Sequence, residues 1–182
     1  SPEENLKTLA EYKNCEINDL VVCLLDRPRN SQLIAKIRKV GARIRLILDG
    51  DVSGVIQAAK ESSGVDVYMG IGGAQEGVLA AAALRGLGGQ IQGRLIVPES
   101  EKQVVKKLTG ITDLDQKFSG DEMAFGEITF AATGITYGPL LDGVQIERSN
   151  MVTHSMVVRS QTSVIRYIKG YHRLNRFQKN ER

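Results

Sequence analysis

Cysteine is scarce in this chain: Cys15 and Cys23 are the only two among 182 residues. They fit neither a paired CxxC metal pattern nor a dense disulfide framework. Two reduced thiols are expected instead, as in a cytoplasmic protein or one of the plastid stroma. Proline is also rare, with four residues against 19 glycines. Those glycines fall between periodic segments, which marks turns and not disorder. No apolar run approaches the ~18 residues that would cross a bilayer, so no membrane partner is expected. The chain has neither an initiator Met nor a basic-then-apolar leader. It opens on SPEENLKTLAEYKN, a helix start with Ser1 as N-cap, Pro2 in the first turn and Glu4 closing a capping box. A chain that opens inside a helix is expected to be a piece of a longer protein.

A composition of 42% hydrophobic residues over this length supports one sizeable core, with roughly 70% of the unfolded surface buried and no staple required. The net charge of +3 is unevenly spread. The closing stretch RYIKGYHRLNRFQKNER holds six Lys or Arg against one Glu, so the remainder is slightly acidic.

Strand and helix patterns alternate through residues 1–110. DLVVCLL (19–25) is a continuous apolar run, as expected for a strand covered on both faces. Leu33, Ile34, Ile37 and Val40 then share one helical face, ended by Gly41. RIRLIL (43–48) predicts a second strand, and Val52, Val55, Ile56 and Ala59 a second helix. VDVYMGI (65–71) predicts a third strand, followed by the small-residue helix VLAAAALRGLGG. QIQGRLIV (90–97) predicts a fourth, and SEKQVVKKL a helix capped by Ser100 and Gln103. Such alternation implies βαβ units and a mostly parallel sheet flanked by helices. Residues 111–182 read differently: a loop with a short helix, then EITFAATGIT, GVQIERS, SMVVRS and SVIRYIKG as antiparallel strands at a sheet edge. Asp113 and Asp115 suggest a calcium loop, but Lys117 at position five and the lack of a closing Glu exclude it.

Ligands of open parallel sheets bind outside the carboxyl ends of the strands. Here those ends read DRPRN (26–30), DGD (49–51) and GIGGAQEG (70–77). Arg27 and Arg29 flank Pro28 and present two guanidinium groups, suited to gripping a phosphate. Asp49 and Asp51 suit sugar hydroxyls. Each feature also has a plain structural reading: a solvated RxR loop, an N-cap, a turn former, an acid complementing a helix dipole. Their convergence at one edge favours a polyhydroxylated anion. Dinucleotide binding fails, because Gln75 stands where GxGxxG needs its third glycine and residues 77–98 hold no acid for a ribose. Glu76 among the glycines fits a hard divalent ion held against phosphate. One carboxylate does not complete a metal site, so further ligands are expected from Asp49, Asp51 or outside the chain.

LVVCLLDRPR, ILDGDV, MGIGGAQEGVLAAAALRGLGGQIQGRL, FAATGIT and the LLDGV turn resemble, in this order, the class II (GlpX-type) fructose-1,6-bisphosphatases. The resemblance implies a layered sugar-phosphatase fold and hydrolysis of the 1-phosphate of fructose 1,6-bisphosphate with Mn²⁺ or Mg²⁺. Sedoheptulose 1,7-bisphosphate is a second substrate of some members. It implies a homo-oligomer, dimer or tetramer. It also implies that this chain is the C-terminal half only, with the catalytic residues in the other half. Carried over residue by residue, Arg27, Pro28, Arg29, Asp49, Gly50, Asp51 and Gly73 match substrate-binding positions, and Glu76 matches a metal ligand. Asn30 stands where the family commonly has His, and Gln75 where it favours Pro. Two other readings remain: a non-catalytic sugar-phosphate-binding module, and nucleic-acid binding through Tyr167, Tyr171, His172 and Phe177 among the basic residues of the tail. The tail is read more plainly as a solvated strand end.

Overall fold

In the computed structural model, residues 1–173 are described. The basic stretch from residue 174 onward, including Phe177, lies outside the described residues. Helix α1 (Pro2–Lys13) starts as its sequence predicts: the Ser1 side chain accepts the Glu4 N–H and the Glu4 side chain reaches back to the N-cap. Strand β1 (Val21–Leu25) follows, then α2 (Ser31–Val40), closed by Gly41 in the left-handed region at φ 98°. Strand β2 (Arg43–Ile47), α3 (Asp51–Ala58) and β3 (Val67–Tyr68) complete two βαβ units. The three strands form a parallel sheet in the order β2-β1-β3.

Because β1 lies between its two successors, the consecutive crossovers run in opposite directions. α1 and α2 pack together on one face of the sheet. α3 packs with α4 (Ala74–Leu87) on the other. The alternation of β1 shows the result: Leu6, Ala10, Val22, Leu24, Ile34 and Ile37 form one buried cluster. Val55, Ala80 and Leu84 form another across the sheet, with Tyr68 packed against it. Tyr68 fits because Gly54 of α3 has no side chain; a Cβ there would stand 3.0 Å from the ring.

The chain then departs from strict alternation. Strand β4 is only Gln92–Gly93, and α5 (Lys102–Thr109) packs few residues onto the body. β4 pairs antiparallel with β5 (Phe118–Ser119), so the expected fourth parallel strand does not form. The Ser100–Gln103 capping box does not form either. Ser100 lies inside a 3₁₀ turn (Glu99–Glu101), and Glu101 holds the N-cap position without a side-chain bond. Asp113 accepts the N–H of Asp115 at 3.0 Å, an ordinary Asx turn.

After α6 (Gly120–Met123), strands β6 (Thr129–Thr133), β7 (Gln145–Glu147), β8 (Asn150–Arg159) and β9 (Ile165–Arg173) form a four-stranded, wholly antiparallel sheet. These strands do not extend the edge of the parallel sheet, as the sequence had suggested. They make a separate layer against α3 and α4, where Ile56 and Ala83 meet Phe130, Leu141, Met156 and Val158. The stacking is therefore helices, parallel sheet, helices, antiparallel sheet. It is a mixed α/β fold with a β-rich C-terminal portion. The small residues of α4 let it serve both sheets: Ala80 faces one and Ala83 the other.

Candidate functional site

The three parallel strands end side by side, and their outgoing loops meet at one edge of the sheet. After Leu25, the DRPRN loop closes into a 3₁₀ turn over Pro28–Asn30. Pro28 occupies the first position of that turn, where its missing N–H costs nothing. Arg27 is half-buried and donates through Nη1 to the Asp26 carbonyl at 3.0 Å. Arg29 reaches across to the glycine loop and donates through Nε to the Ile71 carbonyl at 2.6 Å. This single bond orients the guanidinium and leaves its two terminal nitrogens without another protein acceptor among the described residues.

After β2, Asp49 and Gly50 are exposed. Gly50 takes φ 73° and stands at the N-cap of α3, a left-handed conformation that glycine adopts without penalty. Asp51 is therefore the first helical residue and not the cap. Its Oδ1 accepts the next N–H, that of Val52, at 2.9 Å. Its Oδ2 lies 3.5 Å from the place a Cβ would occupy on Gly72.

After β3, Gly70–Gly73 leave the sheet and lead into α4, with Gly73 as N-cap and Glu76 in the first turn. Glu76 folds back over its own cap: Oε2 would stand only 2.2 Å from a Cβ on Gly73. Gly73 has an extended backbone (φ −69°, ψ 151°). Any residue can adopt that backbone, so a side chain on Gly73 would first meet the folded-back Glu76 carboxylate. The carboxylates of Asp51 and Glu76 come to rest on two consecutive glycines, and Arg29 holds the peptide just before them. α4 also directs its free first-turn N–H groups and positive dipole end into this loop.

Among the described residues, no three His, Cys, Asp or Glu side chains gather closely enough to hold a metal ion. The described residues therefore do not by themselves complete a metal site.

Two residues of the site carry no sequence signal for their roles. Tyr68, at the end of β3, has its phenol pushed up to about 12, first by burial and then by the charges of Asp51 and Cys23, with Arg29 opposing. Asn30 is fully buried at the start of α2 and touches both the DRPRN loop and the glycine loop. An Asn beside a helix start reads as a cap, yet its side chain makes no cap bond. Its burial depends on loops 41 residues apart, which no local pattern reveals.

An α/β protein with its polar loops gathered at the carboxyl edge of a parallel sheet is the class that this arrangement defines. Within that class, the chain belongs to the bacterial, glpX-encoded fructose-1,6-bisphosphatase family, whose model matches residues 1–172. It is 43% identical over 185 aligned residues to the D-fructose 1,6-bisphosphatase class 2/sedoheptulose 1,7-bisphosphatase of Trichodesmium erythraeum, an alignment covering 94% of this chain and 54% of that protein. The proteins of the same description from Synechocystis sp. and Synechococcus elongatus align with the same identity and coverage. The chain spans about half the length of the curated relatives it matches.

Proposed function

We propose that this chain is the C-terminal, substrate-binding half of a divalent-metal-dependent phosphatase acting on the 1-phosphate of fructose 1,6-bisphosphate. Water and the ester would give fructose 6-phosphate and inorganic phosphate. The observation that carries this reading is the meeting of Arg29, Asp51 and Glu76 on the Gly72–Gly73 loop at the sheet edge.

The residues divide the task by chemistry. Arg27 and Arg29 grip a phosphate, each charge-assisted bond contributing roughly 1.5–3 kcal/mol. Pro28 stiffens the loop between them. Asp49 and Asp51 accept sugar hydroxyls, and Gly50 gives them the turn that separates them. Gly73 offers a bare backbone approach to the ligand. Glu76 supplies one ligand to Mn²⁺ or Mg²⁺, with the others coming from outside this chain. Such an ion, when bound, offsets negative charge on the phosphate oxygens. The family assignment supports the substrate class, and the names of the relatives extend it to sedoheptulose 1,7-bisphosphate. We assign the complete protein to the cytoplasm, as a homo-oligomer.

The test is phosphate release from fructose 1,6-bisphosphate by the complete protein with Mn²⁺. Glu76→Ala is expected to lose most of that activity, and unchanged turnover refutes the ligand role. One competing reading is a non-catalytic sugar-phosphate module, which holds if the rest of the complete protein supplies no further carboxylates. Titration calorimetry decides between them: binding without turnover by the complete protein supports the module.

A further inference from the structure

We infer that Asn30 is a positioning residue: its buried amide clasps the glycine loop to the phosphate-gripping loop and so sets where Arg29 and Glu76 stand. The inference rests on the function proposed above and adds to it a residue that touches no substrate.

The observation is a double hold on the backbone of one residue, Ile71. Asn30 is 0% exposed. Its Nδ2 donates to the Leu25 carbonyl, the last of β1, at 2.9 Å. Its Oδ1 accepts the Ile71 N–H at 3.0 Å. The other face of Ile71, its carbonyl, accepts from Arg29 at 2.6 Å. Two consecutive side chains of one loop therefore occupy both backbone groups of a single residue in the other. β3 pairs with β1 only through Val67 and Tyr68, and the Met69 N–H bonds to the Cys23 carbonyl. Beyond Met69 no further ladder bond joins this loop to β1 among the described residues, and Asn30 continues the link where the ladder stops.

The chemistry needs a side chain of this kind. One donor and one acceptor on a short, planar amide match one carbonyl and one N–H. A buried apolar residue would leave the Ile71 N–H without its partner and the Leu25 carbonyl with only the Arg27 N–H, and a lost partner is costly away from water. Ile71 is followed directly by Gly72 and Gly73, so any slack in its peptide passes to the two glycines on which Asp51 and Glu76 rest. The same slack frees the Arg29 guanidinium.

The test uses the complete protein carrying Asn30→Ala, with Asn30→Ser as a milder second variant. The control is Val158→Ala, a core truncation in the antiparallel sheet. Three readouts are taken well below the melting temperature: amide exchange at Ile71, KM and kcat for fructose 1,6-bisphosphate, and Mn²⁺ affinity by calorimetry. The expected result is faster exchange at Ile71 with KM and the Mn²⁺ dissociation constant raised about 10- to 100-fold, the range for residues that orient ligands from behind. kcat falls less than KM rises, and Asn30→Ser moves the same way by less. Val158→Ala lowers the melting temperature and leaves KM and Mn²⁺ affinity in place. Unchanged exchange at Ile71 in both Asn30 variants overturns the clasp. Faster exchange with wild-type KM and Mn²⁺ affinity overturns the positioning role. A wild-type protein that binds neither Mn²⁺ nor the bisphosphate overturns the proposed function itself, whatever the exchange at Ile71 shows.

Discussion

Gly72 and Gly73 are chemically identical neighbours, and alanine should separate them sharply. A Cβ on Gly72 meets only Asp51 Oδ2 at 3.5 Å, an ordinary contact. A Cβ on Gly73 meets Glu76 Oε2 at 2.2 Å. Carbon and oxygen in contact stand at about 3.3 Å or more, so the carboxylate must retreat by about 1 Å. Glu76 is exposed, and its side chain can swing away at little cost. In stability, Gly73→Ala loses an N-cap preference of about 0.5–1 kcal/mol and regains a similar amount from a less flexible unfolded chain. Its unfolding free energy should therefore stay within about 1 kcal/mol of wild type. Function should not stay put. A displacement of about 1 Å in a positioned group can cost on the order of 10²-fold in rate. We expect Gly73→Ala in the complete protein to lower kcat/KM for fructose 1,6-bisphosphate by about that factor and to weaken Mn²⁺ binding. Gly72→Ala should keep activity within about threefold. Urea unfolding, phosphate release and calorimetry read the three quantities. Equal activity in the two variants, or wild-type Mn²⁺ affinity in Gly73→Ala, would refute the reasoning.

Two further outcomes follow from packing and from ionisation. Gly86→Ala places a methyl 2.8 and 3.0 Å from the two methyls of Val158, a stiff β-branched side chain that is 1% exposed. Overpacking of about 1–3 kcal/mol should outweigh a helix-propensity gain of at most about 1 kcal/mol. Gly77→Ala, which meets only the flexible tip of Met123 at 3.3 Å, should be neutral or stabilising in the same urea assay; stabilisation by both would sink the argument. Tyr68, with its phenol at about 12, stays neutral in the folded protein while an ordinary phenol ionises near 10. Between these values unfolding releases a proton, so stability is full below about pH 10 and declines as the pH rises toward 12. Tyr68→Phe should remove the highest-pH phase of the absorbance titration at phenolate wavelengths and flatten the alkaline loss of stability. An unchanged titration would show that the phase belongs to another tyrosine.

Much of this protein is decided within a few residues, and those parts were legible in the sequence. The Ser1 capping box, the Gly41 helix stop, the buried run of β1 and the order βαβαβ all rest on contacts inside one turn or on one strand's hydrophobicity. The gathering of the DRPRN, DGD and GIGGAQEG loops was legible too, because strands that pair parallel all end at the same edge of the sheet. Tertiary structure decided what depends on distant partners. QIQGRLIV has strand composition, yet only Gln92 and Gly93 pair, and they pair with a segment 26 residues on. Ser100 and Gln103 have capping-box spacing, but a 3₁₀ turn takes Ser100 and the helix begins after it. β6 to β9 could have extended the first sheet; burial of Met156 and Val158 against α3 and α4 made them a layer of their own. Asn30 carried no signal of its role, because the N–H that its buried amide oxygen accepts, that of Ile71, belongs to a loop that only the folded chain brings near.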